Sequence, residues 1–264
     1  MSPQAAGVAA PSGESPGSSG PAPTSGERCG GEVAEVDMDV EVDMHVDPPA
    51  VGLSAWAIAQ AYLHGPPQLW EEEGAPGRGA LACSQDLFTS LDLLVCRDTR
   101  AYSGQDLSNL LWACASVGYA SQQLLHAVCA EALHLMGGAS RGGRATRAAD
   151  AEELVWRRFT GVGVSTVFCS LVSMLAAHPQ LLAGAEAAGA GGVPLCSKVL
   201  ARALGLAARK PEAFGAAAQR NMRRACEGGG EEGGGAVLAR LALRDPALQL
   251  AWADFKTLAV ETGA

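Results

Sequence analysis

The amino-acid sequence predicts an all-α protein, a short and irregular α-solenoid of helical hairpins behind an acidic N-terminal tail. Three observations predict it. Beyond residue 47, apolar residues recur at i, i+3, i+4 and i+7, the spacing that places them on one face of a helix. The clearest pair of such stretches has copies before and after it, the mark of a repeat array. The only period-two pattern lies in the tail. The chain divides into a tail (1–47), helical-hairpin repeats with Gly-rich inserts (48–208) and C-terminal helices (209–264).

Residues 1–34 are rich in Pro, Gly, Ser and Ala and hold almost no large apolar groups. Such a segment buries too little surface to offset its conformational entropy, so it reads as disordered. "EVDMDVEVDMHVD" (35–47) alternates Val36, Met38, Val40, Val42, Met44 and Val46 with acids and His45. That is the period of a strand, and a solitary acidic strand has nothing in the chain to pair with. Disorder is the reading for it, with strand addition to a protein partner as the alternative. The first 50 residues carry nine acids against Arg28 alone, so they hold nearly all of the net charge of −9. The segment has no basic start and apolar block, as a secretory signal would. Acids follow its first Arg, which a transit peptide avoids.

The hairpin at 105–136 is the best formed. Leu107, Leu110, Leu111, Cys114, Ala115 and Gly118 share one face, and Ser103 three residues before Asp106 offers a capping box. Ser121 is the expected N-cap of the second helix, with Leu124, Leu125, Val128, Cys129, Ala132, Leu135 and Met136 on its face. Shifted forward by 57 residues, "LSNLLWACAS" (107–116) falls on "VSTVFCSLVS" (164–173). Val164, Val167, Phe168, Leu171, Val172 and Leu175 then repeat the face, and Ser165 and Ser173 repeat Ser108 and Ser116. Shifted back by 56, Trp112 falls on Trp56 in "VGLSAWAIAQ" (51–60), with Ile58 and Ala59 on the face. The second helices align at 71, "LLHAVCAEALHL" (124–135) with "LCSKVLARALGL" (195–206), and Gly/Ala-rich inserts absorb the difference. Prolines at Pro66, Pro67 and Pro179 suit the first turn of a helix. At the C-terminus, Lys210-Pro211 opens "KPEAFGAAAQRNMRRAC", and Asp245-Pro246 caps "ALQLAWADFKTLAV".

Chemistry is not announced by any motif. The sequence has no phosphate-binding G-x-x-x-x-G-K-[ST] loop, no H-E-x-x-H and no G-x-S-x-G. The eight cysteines never form C-x-x-C, and several lie on apolar stripes, so they read as buried free thiols. Glu131 and His134 make a lone Glu-x-x-His, which in carboxylate-bridged metal bundles comes with partner helices. The uncharged stretch from Phe159 to Ala185 is studded with Ser and Thr, and reads as a buried helix rather than a membrane span. We therefore expect no catalysis, cofactor, metal, membrane insertion or small-molecule substrate.

One electrostatic feature stands out. Residues 195–226 hold Lys198, Arg202, Arg209, Lys210, Arg220, Arg223 and Arg224 against the single acid Glu212. A second basic run is Arg141, Arg144 and Arg147. Lys and Arg are what phosphate contacts require, because neutralising phosphates releases counterions. The seven residues are the expected phosphate contacts of a polyanion.

"DLSNLLWACASVGY" (106–119) resembles the first helix of the octotricopeptide repeat and of related FAST-kinase-domain-like helical regions, found in RNA-binding proteins of green algal organelles. "WAIAQAYLHGPPQLW" (56–70) adds a Pro66-Pro67 turn leading to Trp70, as in that family. The resemblance covers 51–136, and more loosely 159–206. It implies binding of single-stranded RNA in a chloroplast or mitochondrion, in support of RNA maturation, stability or translation. Repeats of this kind read bases with polar side chains of one helix per unit. The repeating polar positions Ser108, Asn109, Ser116, Ser165, Thr166 and Ser173 are the base-facing candidates it implies. An α-helical scaffold for protein partners is the alternative.

Overall fold

The computed structural model describes residues 47–64, 79–137, 148–181, 192–228 and 233–261. Among these the chain forms ten α-helices and no strand. They are α1 (Pro48–His64), α2 (Gly79–Arg97), α3 (Gly104–Val117), α4 (Gln122–Leu135) and α5 (Ala148–Arg158). Then follow α6 (Gly161–Ala177), α7 (Gly192–Arg209), α8 (Ala216–Glu227), α9 (Gly234–Ala242) and α10 (Pro246–Glu261). Short 3-10 turns at Thr99–Ala101 and Pro211–Ala213 precede α3 and α8. The alternating segment 35–46, the Pro66-Pro67-Trp70 turn and the Arg141, Arg144 and Arg147 run lie outside the described residues.

Local signals set the helix ends. The Ser103 hydroxyl accepts from the Asp106 amide, and the Asp106 carboxylate accepts from the Ser103 amide at 3.0 Å, completing the capping box. Gly118 stops α3 in the left-handed region at φ 70°. Ser121 caps α4 through the Leu124 amide, Thr160 caps α6 through the Gly163 amide, and Asp245 caps α10 through Ala247 and Leu248. Such caps contribute about 1 kcal/mol each. The predicted core face of α6 is buried, as is that of α3 except for half-buried Ala115 and exposed Gly118, and that of α4 except for half-buried Leu135.

Packing sorts the helices into two layers. In the first, α1 packs on α3, α3 on α6 and α6 on α8. In the second, α2 packs on α4, α4 on α7 and α7 on α10, while α9 sits against α6, α8 and α10. This is the one-dimensional packing of a repeat array, in which each hairpin buries its apolar stripe on the next. Helices beyond residue 209 continue both layers, so α8 is a fourth first-layer helix.

Successive first-layer helices run in the same direction at one register. Gly52 of α1 abuts the Asp106 backbone of α3. The Ser108 hydroxyl of α3 donates to the Gly104 carbonyl one turn back at 2.6 Å, with the Gly163 carbonyl of α6 as a second acceptor at 3.2 Å, and Ser165 of α6 donates to the Ala218 carbonyl of α8 at 3.1 Å. The three contacts are equivalent and confirm the internal repeat. Before each helix from α3 onward stands a buried aromatic: Tyr102, Phe159 and Phe214. Gly104 and Gly161 let the next unit's chain approach. A Cβ on Gly104 would lie 2.4 Å from the Arg158 oxygen, and one on Gly161 would lie 2.0 Å from the Ala213 oxygen.

Three elements differ from the sequence reading. "KPEAFGAAAQRNMRRAC" is broken into the 3-10 turn and α8, because Phe214 takes an extended backbone to enter the core. Helix α5, which the sequence reading did not name, starts at the end of the expected insert (137–150) and brings Trp156 edge-on to Phe214, ring centroids 5.8 Å apart. Helix α9 forms in the Gly-rich C-terminal stretch and buries Val237, Leu238 and Leu241. No helix among the described residues is long and apolar enough to cross a membrane.

Candidate functional site

Helices α3 and α6 have first-layer neighbours on two sides and the second layer behind them, which leaves one outward stripe, and α1 and α8 end the row. The register set by the Gly52, Ser108 and Ser165 contacts aligns these stripes. Leu53, Asn109, Thr166 and Asn221 occupy one position on α1, α3, α6 and α8. Trp56, Trp112, Cys169 and Arg224 occupy the next, one turn on. Gln60, Ser116 and Ser173 follow on the first three helices. All eleven residues are exposed or half-exposed.

Side chains at these positions have distinct capacities. Trp56 is 43% exposed and Trp112 half-buried, so each offers part of a ring face. Arg224 places a planar cation at the equivalent position of α8. Asn109 accepts from Gln105 Nε2 at 2.9 Å through its carbonyl oxygen, and the Thr166 hydroxyl donates to the Val162 carbonyl one turn back. The Asn109 amide nitrogen and the Thr166 lone pairs keep further hydrogen-bonding capacity. Burial pushes the Cys169 thiol up to about 11, partly opposed by its bond with Ser165, so it is protonated at neutral pH.

The base-facing candidates therefore split. Asn109, Ser116, Thr166 and Ser173 lie on the outward stripe. Ser108 and Ser165 do not; both are buried between helices, where their hydroxyls hold neighbouring carbonyls. They repeat in the sequence because the helix-to-helix contact repeats. This corrects the sequence reading of those two positions.

The seven basic candidates also separate. Arg220 and Arg224 are exposed on α8, Arg224 on the stripe and Arg220 at the register position of Ser108 and Ser165. Arg223 is turned inward and only 9% exposed, at the register position of Phe168 and Leu111. In the second layer, Arg202 donates to the Met136 carbonyl at 2.8 Å, where α4 leaves acceptors unsatisfied. The Lys210 ammonium stands 5.6 Å from the Trp156 ring centre. Lys198 and Arg209 are exposed on α7. The basic run of the sequence thus does not fold into one patch.

A second concavity, of about 690 Å³, lies between the end of α2, α4 and the start of α7. Its lining mixes Arg97 and Arg100 with Asp98 and Glu131, and His134 Nδ1 sits 3.3 Å from Glu131. The Glu-x-x-His pair closes on itself. Among the described residues, no group of three or more His, Cys, Asp or Glu side chains converges on a point.

No family model, curated protein or solved structure matches this chain. The sequence reading used Trp56 and Trp112 as markers of the repeat and gave them no role of their own. It missed Asn221 altogether, because Arg220 and Arg223 replace the serine and the large apolar residue found at those positions in α3 and α6.

Proposed function

We propose that this protein binds single-stranded RNA along the outward stripe of its first helix layer, without catalysis of its own. The observation that carries this reading is the recurrence, at one register, of Asn109, Thr166 and Asn221, with Trp56, Trp112 and Arg224 one turn further. Amides and hydroxyls hydrogen-bond base edges, and indole and guanidinium planes stack on base faces; this combination is how helical repeats read unpaired RNA. Arg220 and Arg224 supply phosphate contacts at one end of the stripe. The resemblance to octotricopeptide proteins supports a role in the maturation, stability or translation of chloroplast or mitochondrial RNA.

Fluorescence anisotropy with labelled single-stranded RNA tests this. We expect Trp112→Ala to weaken binding by about 1–3 kcal/mol, the usual worth of one stacked base. Arg224→Ala should weaken all sequences alike and reduce the salt slope by about 0.7. Asn109→Ala should change the order of preference among sequences. Absence of binding at low salt removes the reading.

A protein-interaction scaffold is the second reading, favoured by Leu53, Trp56 and Leu63, which leave α1 with 57%, 43% and 45% exposed apolar side chains. It predicts a salt-tolerant protein interface that Leu53→Lys abolishes and Arg224→Ala leaves unchanged.

A further inference from the structure

The second layer contains a pair of thiols that neither the repeat nor the RNA stripe accounts for. Cys129 of α4 and Cys196 of α7 face each other with their sulfurs 3.6 Å apart. Both are free, and they lie in the interface that joins two successive hairpins. The other described cysteines serve as small apolar packing groups or face acceptors, as Cys96 does with Asp92 at 3.1 Å. Only this pair brings two sulfurs into hydrogen-bonding contact among the described residues.

The pair lies close to the 690 Å³ cavity described above. Ala130, next in the chain to Cys129, and Leu195, next to Cys196, both line it. Neither cysteine itself lines the cavity. Cys129 is fully buried, whereas Cys196 is 4% exposed. The hydrogen bond with Cys196, and burial after it, hold the Cys129 thiol well above its ordinary value.

We infer that Cys129 and Cys196 are an oxidisable dithiol, which a small hydroperoxide converts to a disulfide that staples α4 to α7. The Cys196 sulfur attacks one oxygen of the peroxide. The S–O bond forms, the O–O bond breaks, and hydroxide leaves with the thiol proton as water, giving a sulfenic acid. The Cys129 sulfur then attacks the Cys196 sulfur. The S–S bond forms, the S–O bond breaks, and the hydroxyl departs with the Cys129 proton as a second water. Two thiols lose two electrons, and one hydrogen peroxide is reduced to two waters. Cys196 takes the oxidant first because it is the less completely buried residue of the two. The covalent link fixes the step between the second and third hairpins, which in the reduced chain rests on side-chain packing.

The test uses the full chain treated with hydrogen peroxide in its folded state, then unfolded in excess N-ethylmaleimide and digested for mass spectrometry. We expect a linked peptide containing Cys129 and Cys196, with the mass loss of two thiol hydrogens. The melting temperature should rise by several degrees, and dithiothreitol should reverse both changes. In Cys129→Ala, dimedone should trap a sulfenic acid on Cys196; in Cys196→Ala it should trap none on Cys129. The inference is overturned if peroxide oxidises the half-exposed Cys96 and Cys169 while Cys129 and Cys196 stay reduced. It is equally overturned if the link joins other cysteines. The wild-type peptide map decides this even where an alanine variant fails to fold.

Discussion

In the first layer, successive helices are located by backbone. Gly104 and Gly161 admit the next unit's carbonyls where a Cβ would collide, Ser165 donates to a backbone oxygen of the following helix, and Ser108 lies between the carbonyls of Gly104 and Gly163. In the second layer the steps are made by side chains: Cys129 on Cys196, Arg202 on the Met136 carbonyl, and Ser197 on Asp245 at 2.6 Å. Backbone-to-backbone approach tolerates no change of register, because neither partner can rotate away. Side-chain contacts tolerate more, since a rotamer change absorbs a small shift. That difference explains why the sequence repeat is sharp for α3 and α6 and blurred by Gly-rich inserts for α4 and α7. It also gives the first layer an evenly spaced outward stripe.

The largest expected effect breaks the first layer at its tightest point. Gly161→Ala places a methyl group 2.0 Å from the Ala213 oxygen and 2.7 Å from its carbonyl carbon, both backbone atoms. We expect a loss of about 3 kcal/mol or more in a denaturant melt, because a well-packed backbone must move to relieve the clash. A cost near zero would mean that the first layer slides as readily as the second, and the contrast would fall.

Much of this layer was legible in the sequence, for a physical reason. Capping is local: Ser103 and Asp106, or Asp245 ahead of Pro246, announce helix starts through bonds spanning three residues. The apolar stripes of α3, α4 and α6 are equally local, and they gave the all-α fold and the repeat. What was illegible is set between helices. Ser108 and Ser165 looked like surface hydroxyls, and only the contact with the next helix shows them as fasteners. Likewise Arg223 looked like one of a cluster of cations until its register position placed it in the core. The fourth unit was hidden because α8 keeps the geometry of its predecessors while changing their residues.

A smaller effect separates fastener from surface. Ser165→Ala removes the hydroxyl that bonds the Ala218 carbonyl, and should cost about 1 kcal/mol, the net worth of one such bond. Ser173→Ala, two turns along the same helix and exposed, should change stability by less than about 0.5 kcal/mol. Under the proposed function the roles reverse in RNA binding, where Ser173→Ala is the substitution that alters affinity. Chemical denaturation and anisotropy on the same two variants read both. Equal stability costs would show that Ser165 is not a fastener.

The smallest effect has the opposite sign, and it falls in the second layer. Gly205 lies within α7, where a Cβ would meet only the far end of the Arg209 side chain, 3.2 Å from one guanidinium nitrogen. That group ends a flexible chain, so a shift of a few tenths of an ångström is enough to make room for the methyl. The substitution Gly205→Ala also lowers the entropy of the unfolded chain and restores helix propensity. The expected result is a gain of about 0.5–1 kcal/mol. Glycine thus has two meanings in this array. In the first layer it makes room for a neighbouring backbone, and replacing it is destructive. In the second it marks a position where nothing rigid approaches, and alanine should be the better residue. A melt in which Gly205→Ala and Gly161→Ala shift stability in the same direction would sink that distinction, and with it the claim that the two layers are held by different means.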